Sequence, residues 1–229
     1  ESKPTAEPST NLSMEDRIMN LTTPSRMTWL FSTVALICFA IVAGGLTRQD
    51  DSPTPTTADG PSTWKVDTVH STALFRVTHM GAGAFWGRFN EPTGEVKWDH
   101  TGQACPEFDI KIPISSVDSG NSNLDKHLRN ADFFNEPEFP NMTFKSTGCT
   151  PDGENNWIMT GELTLLGKTK PVNVKLERIG TADMGRGLRS GFEATFTIKR
   201  SEHGMNWGVE RGALGDTVKI IVSLETIRQ

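Results

Sequence analysis

The chain has 229 residues, 35% of them apolar, with 23 Lys/Arg against 28 Asp/Glu and three cysteines. Such a composition excludes a multi-pass membrane protein, a collagen and a disulfide-dense miniprotein. Residues 1–60 hold four Lys/Arg and seven Asp/Glu, which leaves 19 against 21 for residues 61–229. No basic stripe exists to neutralise a phosphate backbone, so nucleic acid is not an expected partner.

Residues 1–26 are rich in Ser, Thr, Pro and charge and have no apolar periodicity, which predicts a disordered segment. The run Met27 to Leu46 is different in kind. Fifteen of its twenty residues are apolar and none is charged, and as an N-terminal hydrophobic helix it would span about 30 Å, the thickness of a bilayer core. It has no polar face to turn toward water, which argues against a buried helix of a soluble domain. Arg17 and Arg26 precede it, whereas Arg48 is followed by Asp50 and Asp51. The positive-inside bias therefore puts the rest of the chain outside the cytoplasm. Two readings stay open: a retained transmembrane anchor, or a signal segment cleaved near Ala43. Residues 47–63 read as a Pro/Thr-rich linker with a reach of roughly 20–25 Å.

From Trp64 onward the pattern is strict alternation. In Phe192 to Lys199 every even position is apolar and every odd one polar, and Val172 to Glu177 repeats this. Each such strand is dry on one face and wet on the other. Further matches are Trp64–Asp67, Ala73–His79, Gly87–Asp99 broken near Pro92, Glu107–Ser115, Asn141–Ser146, Trp157–Leu166 and Val218–Thr226. They predict eight or nine antiparallel strands joined by Gly-, Pro- and Asn-rich turns. One helix is expected at Asn123–Asn130, with Leu124 and Leu128 on one face and Asp125 paired to Arg129. With no second layer of helices, the sheet must cover its own apolar face, most simply by closing into a barrel. About eight strands enclose either packed side chains or one apolar ligand. Periodicity does not choose between them.

The segment His79 to Gly87 carries three glycines with Met80, Phe85 and Trp86, which suits either a portal loop at a barrel rim or a loop that plugs its end. Of the five histidines none lies at the tight spacing of a metal site, so no metal is expected. His127 shares the inward side of the predicted helix with Leu124 and could bond a buried carbonyl or a ligand head group. There is no nucleophile elbow and no phosphate-binding glycine loop within a βαβ unit, hence no catalytic constellation. Cys105 opens one predicted strand and Cys149 closes the one after the helix. Those ends are adjacent in an antiparallel pair, so a Cys105–Cys149 disulfide is expected, in keeping with an oxidising exterior.

The motifs Trp64-Lys-Val-Asp-Thr-Val-His-Ser71, Gly87-Arg-Phe89, Ser116-Val-Asp-Ser-Gly120, Asp125-Lys-His-Leu128, Asp132-Phe-Phe134 and Phe139-Pro-Asn-Met-Thr-Phe-Lys-Ser146 resemble the YceI-like family, as do Gly161–Gly167 and Lys199–Met205. The resemblance spans Trp64 to about Arg228. It implies an all-β, extended, eight-stranded antiparallel lipocalin-like barrel over residues 64–229, located in the bacterial periplasm and either secreted or held at the membrane. It also implies a non-catalytic binder of a polyisoprenoid or fatty-acyl lipid, with no cofactor other than that lipid. The tunnel-facing residues it suggests are Phe75, Val77, Phe89, Phe108, Ile110, Phe144, Leu163, Leu165, Phe196 and Ile198, with Phe133 and Phe134 near the helix end. His70, Ser71, His79 and His127 are candidates for the polar end. Expected partners are the hydrophobic ligand, the membrane through residues 27–46 if these are retained, and a second copy of the chain if it forms a homodimer. The competing reading is an interaction or stress-protection module whose barrel is filled by its own side chains.

Overall fold

Alternating apolar residues become eleven strand segments and one α-helix in the computed structural model, which describes residues 60–101 and 104–229. The expected disordered segment, hydrophobic helix and most of the linker lie outside the described residues. Among those described, no helix is long and apolar enough to cross a membrane. The strands are β1 (Ser62–Val66), β2 (Thr72–His79), β3 (Gly83–Phe89), β4 (Thr93–Trp98), β5 (Glu107–Pro113), β6 (Val117–Asp118), β7 (Asn141–Pro151), β8 (Asn156–Leu165), β9 (Lys168–Asp183), β10 (Leu188–Lys199) and β11 (Leu214–Arg228).

Pairing follows the order β1-β4-β5-β7-β8-β9-β10-β11, and β11 returns to β1, so eight antiparallel strands close a ring. The count of eleven arises from two breaks. The last three residues of β11, Thr226–Arg228, pair with β1 and the stretch from Leu214 to Ser223 with β2, which makes β1 and β2 one strand interrupted by a 3₁₀ turn at Thr68–His70. Likewise β3 and β4 continue one another across Pro92, which has no N–H to give a ladder. Just before that break β3 meets the short β6 at Arg88 and Phe89.

The helix α1 (Ser122–Leu128) starts one residue earlier and stops two residues sooner than the periodicity predicts. Asn121 caps it, its side-chain oxygen accepting from the backbone N–H of Asn123 and Leu124 at 3.0 and 3.1 Å. The expected Asp125–Arg129 pair does not form. Asp125 instead accepts from the backbone and hydroxyl of Ser119 at 2.7 and 2.6 Å, and Arg129 reaches Glu136 at 3.5 Å. Both partners come from the flanking turns that fold back on this short helix, which a helix-face argument does not see.

One end of the barrel is closed by Trp64, Trp98, Trp157 and Phe192, all at most 1% exposed. Trp64 donates its indole N–H to the Trp98 carbonyl at 3.2 Å, and the Phe192 ring meets Trp98 and Phe108 edge-on, each at 5.3 Å.

Cys105 and Cys149 form the disulfide, with Cα atoms 6.0 Å apart. The β5–β7 register, in which Asp109 faces Lys145, continues four residues on to place Cys105 opposite Cys149. The bridge spans 44 residues of sequence, for which loop-closure entropy gives a contribution of about 2–4 kcal/mol. Reduction, or Cys105→Ser with Cys149→Ser, should lower the melting temperature by about 5–15 °C. Calorimetry with and without reductant checks this, and coincident transitions would show the bridge to be thermodynamically idle.

Candidate functional site

A cavity of about 540 Å³ occupies the barrel interior, within the range of about 300–1,000 Å³ usual for small-molecule sites. It is long as well as roomy. Along β11 it runs from Leu214 to Leu224, ten residues that at about 3.3 Å each and a barrel tilt of about 40° extend roughly 25 Å along the axis.

Its walls are the inward faces of the strands. Phe75 and Val77 of β2, Phe89 of β3, Phe108 and Ile110 of β5, and Phe144 of β7 line it. So do Leu163 and Leu165 of β8, Phe196 and Ile198 of β10, and Phe133 and Phe134 of the segment after α1. Two glycines make room for this wall. A Cβ at Gly87 would lie 2.3 Å from the Phe75 ring, and one at Gly161 would lie 2.3 Å from the Phe144 ring. Each ring therefore lies across a neighbouring backbone that only glycine leaves bare.

Sequence reasoning missed Val218, Ile220 and Val222 of β11, together with Ile112 and Met142, all of which line the cavity. Their strands were among those the period-two rule picked, and the same rule applied to the inward faces of these strands names all five. Met205, Trp207, Leu214 and Arg200 also line it. No periodic signal marks the first two and Arg200 because the segment between β10 and β11 is irregular, and Leu214, the first residue of β11, is separated from the regular alternation by a register shift before Val218.

The mouth lies at the end opposite the tryptophan layer, where the lining residues His79, Gly83 and Ala84 are exposed. The segment His79–Gly87 is neither a portal loop nor a plug, since all but its tip is strand. Met80 and Gly81, with φ of 51° and 65°, turn the β2–β3 hairpin. Gly83, Ala84 and Phe85 then form cavity wall, while Met80 and Trp86 stay 69% and 45% exposed. Tip and rim are joined by the Met80 N–H donating to the Ala213 carbonyl at 2.9 Å.

Few polar groups reach the cavity, and they gather at the mouth. His127 sits on α1 with Nε2 3.0 Å from an Asp132 carboxylate oxygen, its ring edge-on to Phe133 and Trp207 at 5.0 and 5.4 Å. Arg200, 3% exposed, donates from Nε to the Gly215 carbonyl at 2.8 Å and from Nη1 to Met205 at 3.0 Å. Its Nη2 donates to Trp207 and Leu214 at 2.9 and 3.2 Å. One guanidinium thus ties the strap of residues 205–214 across the barrel end. Burial pushes its pKa below the ordinary arginine value, and the nearby Asp216 charge opposes that.

His70 and Ser71 do not line the cavity. At the 3₁₀ turn between β1 and β2, His70 is exposed with Nδ1 3.0 Å from Asp67, and Ser71 is buried with its hydroxyl accepting from the Glu225 N–H at 3.0 Å. Asp67, His70 and Glu225 bring their ligating atoms within 4.8 Å of one another. Arg189 already donates to both carboxylates, to Asp67 at 2.7 Å, so the group forms an ion-pair network. It fastens the turn between β1 and β2 to β10 and β11.

The Arg189 guanidinium, with the His70 ring, holds the Asp67 carboxyl at about 2 instead of 3.8. A carboxylate held lower in the folded chain than in the unfolded one stabilises the fold above its unfolded pKa and loses that contribution as pH falls through its folded pKa. Asp67→Asn should therefore reduce stability at neutral pH and flatten the loss of stability between pH 3.8 and about 2. Denaturant unfolding across pH 7 to 2 tests this; identical acid limbs in the two proteins would remove Asp67 from the linkage.

Residues 64–226 match the model of the YceI-like domain. Over 161 residues the chain is 37% identical to the UPF0312 protein PA0423 of Pseudomonas aeruginosa and 37% identical to Protein YceI of Escherichia coli O157:H7, covering 70% of this chain and 83% of each relative. Among solved structures it is similar to BcnA of Burkholderia cenocepacia, with a TM-score of 0.62 and 26% identity over 70% of this chain and 98% of that one. A polyisoprenoid binding domain from Saccharophagus degradans shares the fold, with a TM-score of 0.57 and 16% identity over 72% of this chain and 98% of that one.

Proposed function

Since this chain belongs to the YceI-like domain family, we propose that it is a non-catalytic binding protein that takes up one long-chain amphipathic lipid, of polyisoprenoid or fatty-acyl type, along the axis of its barrel. The observation that carries this reading is a cavity of about 540 Å³ walled almost wholly by aliphatic and aromatic side chains and closed at one end by tryptophans. About ten carbons buried there at about 0.8 kcal/mol each gain roughly 8 kcal/mol before the costs of association and ordering. That gain needs a long dry channel and little polar chemistry. The polyisoprenoid-binding domain that shares this fold supports the same class of ligand.

The disulfide fits an extracytoplasmic setting, and there the protein serves transport, storage or envelope stress and redox support. Native mass spectrometry of the purified protein, with lipid extraction, tests the reading. It should reveal a co-purifying lipid, or a single hydrophobic ligand accepted after delipidation. A folded barrel that neither carries nor accepts one would instead be an interaction or stress-protection module.

A further inference from the structure

The polar atoms on the cavity wall are not a random sample of polar chemistry. Among the described residues that line it there is no Asp or Glu; the side chains able to charge are His79, His127 and Arg200. These three come together at the mouth. His79 faces Leu214 in the β2–β11 register, the Leu214 and Trp207 carbonyls both accept from Arg200, and the Trp207 ring meets His127. Arg200 is also incompletely used. An arginine has five N–H groups, and its four hydrogen bonds leave one N–H of Nη1 without a protein acceptor among the described residues. Asp216 acts on it through its charge but spends its carboxylate oxygens on the Ser201 N–H and hydroxyl, and no ion pair with Arg200 forms among the described residues, so the guanidinium charge beside the apolar cavity is only partly offset.

Resting on the tunnel reading above, we propose that the mouth is a head-group site for an anionic lipid, a carboxylate or a phosphate monoester, with Arg200 and His127 as the specificity-determining donors and His79 at the rim. An acceptor head satisfies the spare N–H and completes the compensation of the guanidinium charge, and charge-assisted bonds of this kind are the strong ones in a dry site. A cationic head would meet the Arg200 charge and no lining carboxylate, since Asp132 does not line the cavity and is already engaged by His127 Nε2 at 3.0 Å. The chain of the lipid then lies toward Phe108 and the tryptophan layer, and its head stays at the strap.

The test uses the delipidated full-length protein and four probes with one tail: hexadecanoic acid, hexadecyl phosphate, hexadecanol and hexadecylamine, titrated below their aggregation limits and followed by tryptophan fluorescence and calorimetry. At least one of the two anions should bind roughly tenfold or more tightly than the alcohol, and the amine most weakly. Arg200→Gln, where circular dichroism shows it folded, should erase that preference. His127→Phe, which keeps an aromatic ring against Phe133 and Trp207 but removes the donor, should narrow it. Equal affinities for acid and alcohol, or a preference undiminished in both variants, overturn the head-group assignment and leave the tunnel intact. Failure of all four probes to bind overturns the tunnel reading itself.

Discussion

Phe144→Asp should abolish uptake of a long-chain lipid, with affinity falling about 100-fold or more, while the barrel still folds. Phe144 is the fourth residue of β7 and its ring covers Gly161 on the cavity side. The substitution removes apolar wall and puts a carboxylate where a hydrocarbon would lie. Forcing that carboxylate out of water costs several kcal/mol, and about 2.8 kcal/mol is already a factor of 100. The unliganded protein escapes most of this cost because the emptied cavity admits water. Phe75→Asp, across the barrel against Gly87, should behave the same way. Ligand titration beside circular dichroism distinguishes the cases, and a folded variant that still takes up lipid would mean that this wall does not face the ligand.

The second large effect concerns Arg200. Arg200→Met keeps much of the apolar stem but strips four backbone carbonyls, those of Met205, Trp207, Leu214 and Gly215, of their donor. Leaving such acceptors unsatisfied in a buried site costs about 1–3 kcal/mol each where water cannot reach them. With partial hydration at the mouth the expected total is about 3–5 kcal/mol, and the melting temperature should fall by about 10 °C or more. Hydrogen exchange should locate the damage, with amides of residues 204–215 losing protection while β7 and β8 keep theirs. A melting temperature within about 2 °C of the parent would show that the strap is held by its apolar contacts with Trp207 and Met205 instead.

How much of this site was legible in the sequence varies with the range of the physics involved. The faces of β2, β5, β7, β8 and β10 were readable because side-chain direction alternates residue by residue, so Phe108, Ile110, Phe196 and Ile198 declare their side locally. The disulfide was readable because two strand ends were already in register. His70 and Ser71 were not, because a 3₁₀ turn of three residues, Thr68–His70, rotates them out of the alternation that their neighbours obey. Arg200 was not either. A charged residue at the end of a strand reads as exposed, and only the strap that folds over it supplies the four carbonyls that make burial tolerable.

The sequence by itself determined an all-β domain, the inward faces of its strands and its family, all of which rest on short-range alternation and on motifs in fixed order. The eight-stranded barrel that the family resemblance implied is the one observed; tertiary structure alone decided how eleven strand segments make up those eight strands, that the interior is open space beyond a tryptophan layer, and that the polar groups of the mouth converge on residues 205–214. Closure, emptiness and convergence depend on which distant strands pair and on how completely their side chains fill the space between them. Alternation along one strand carries no record of either.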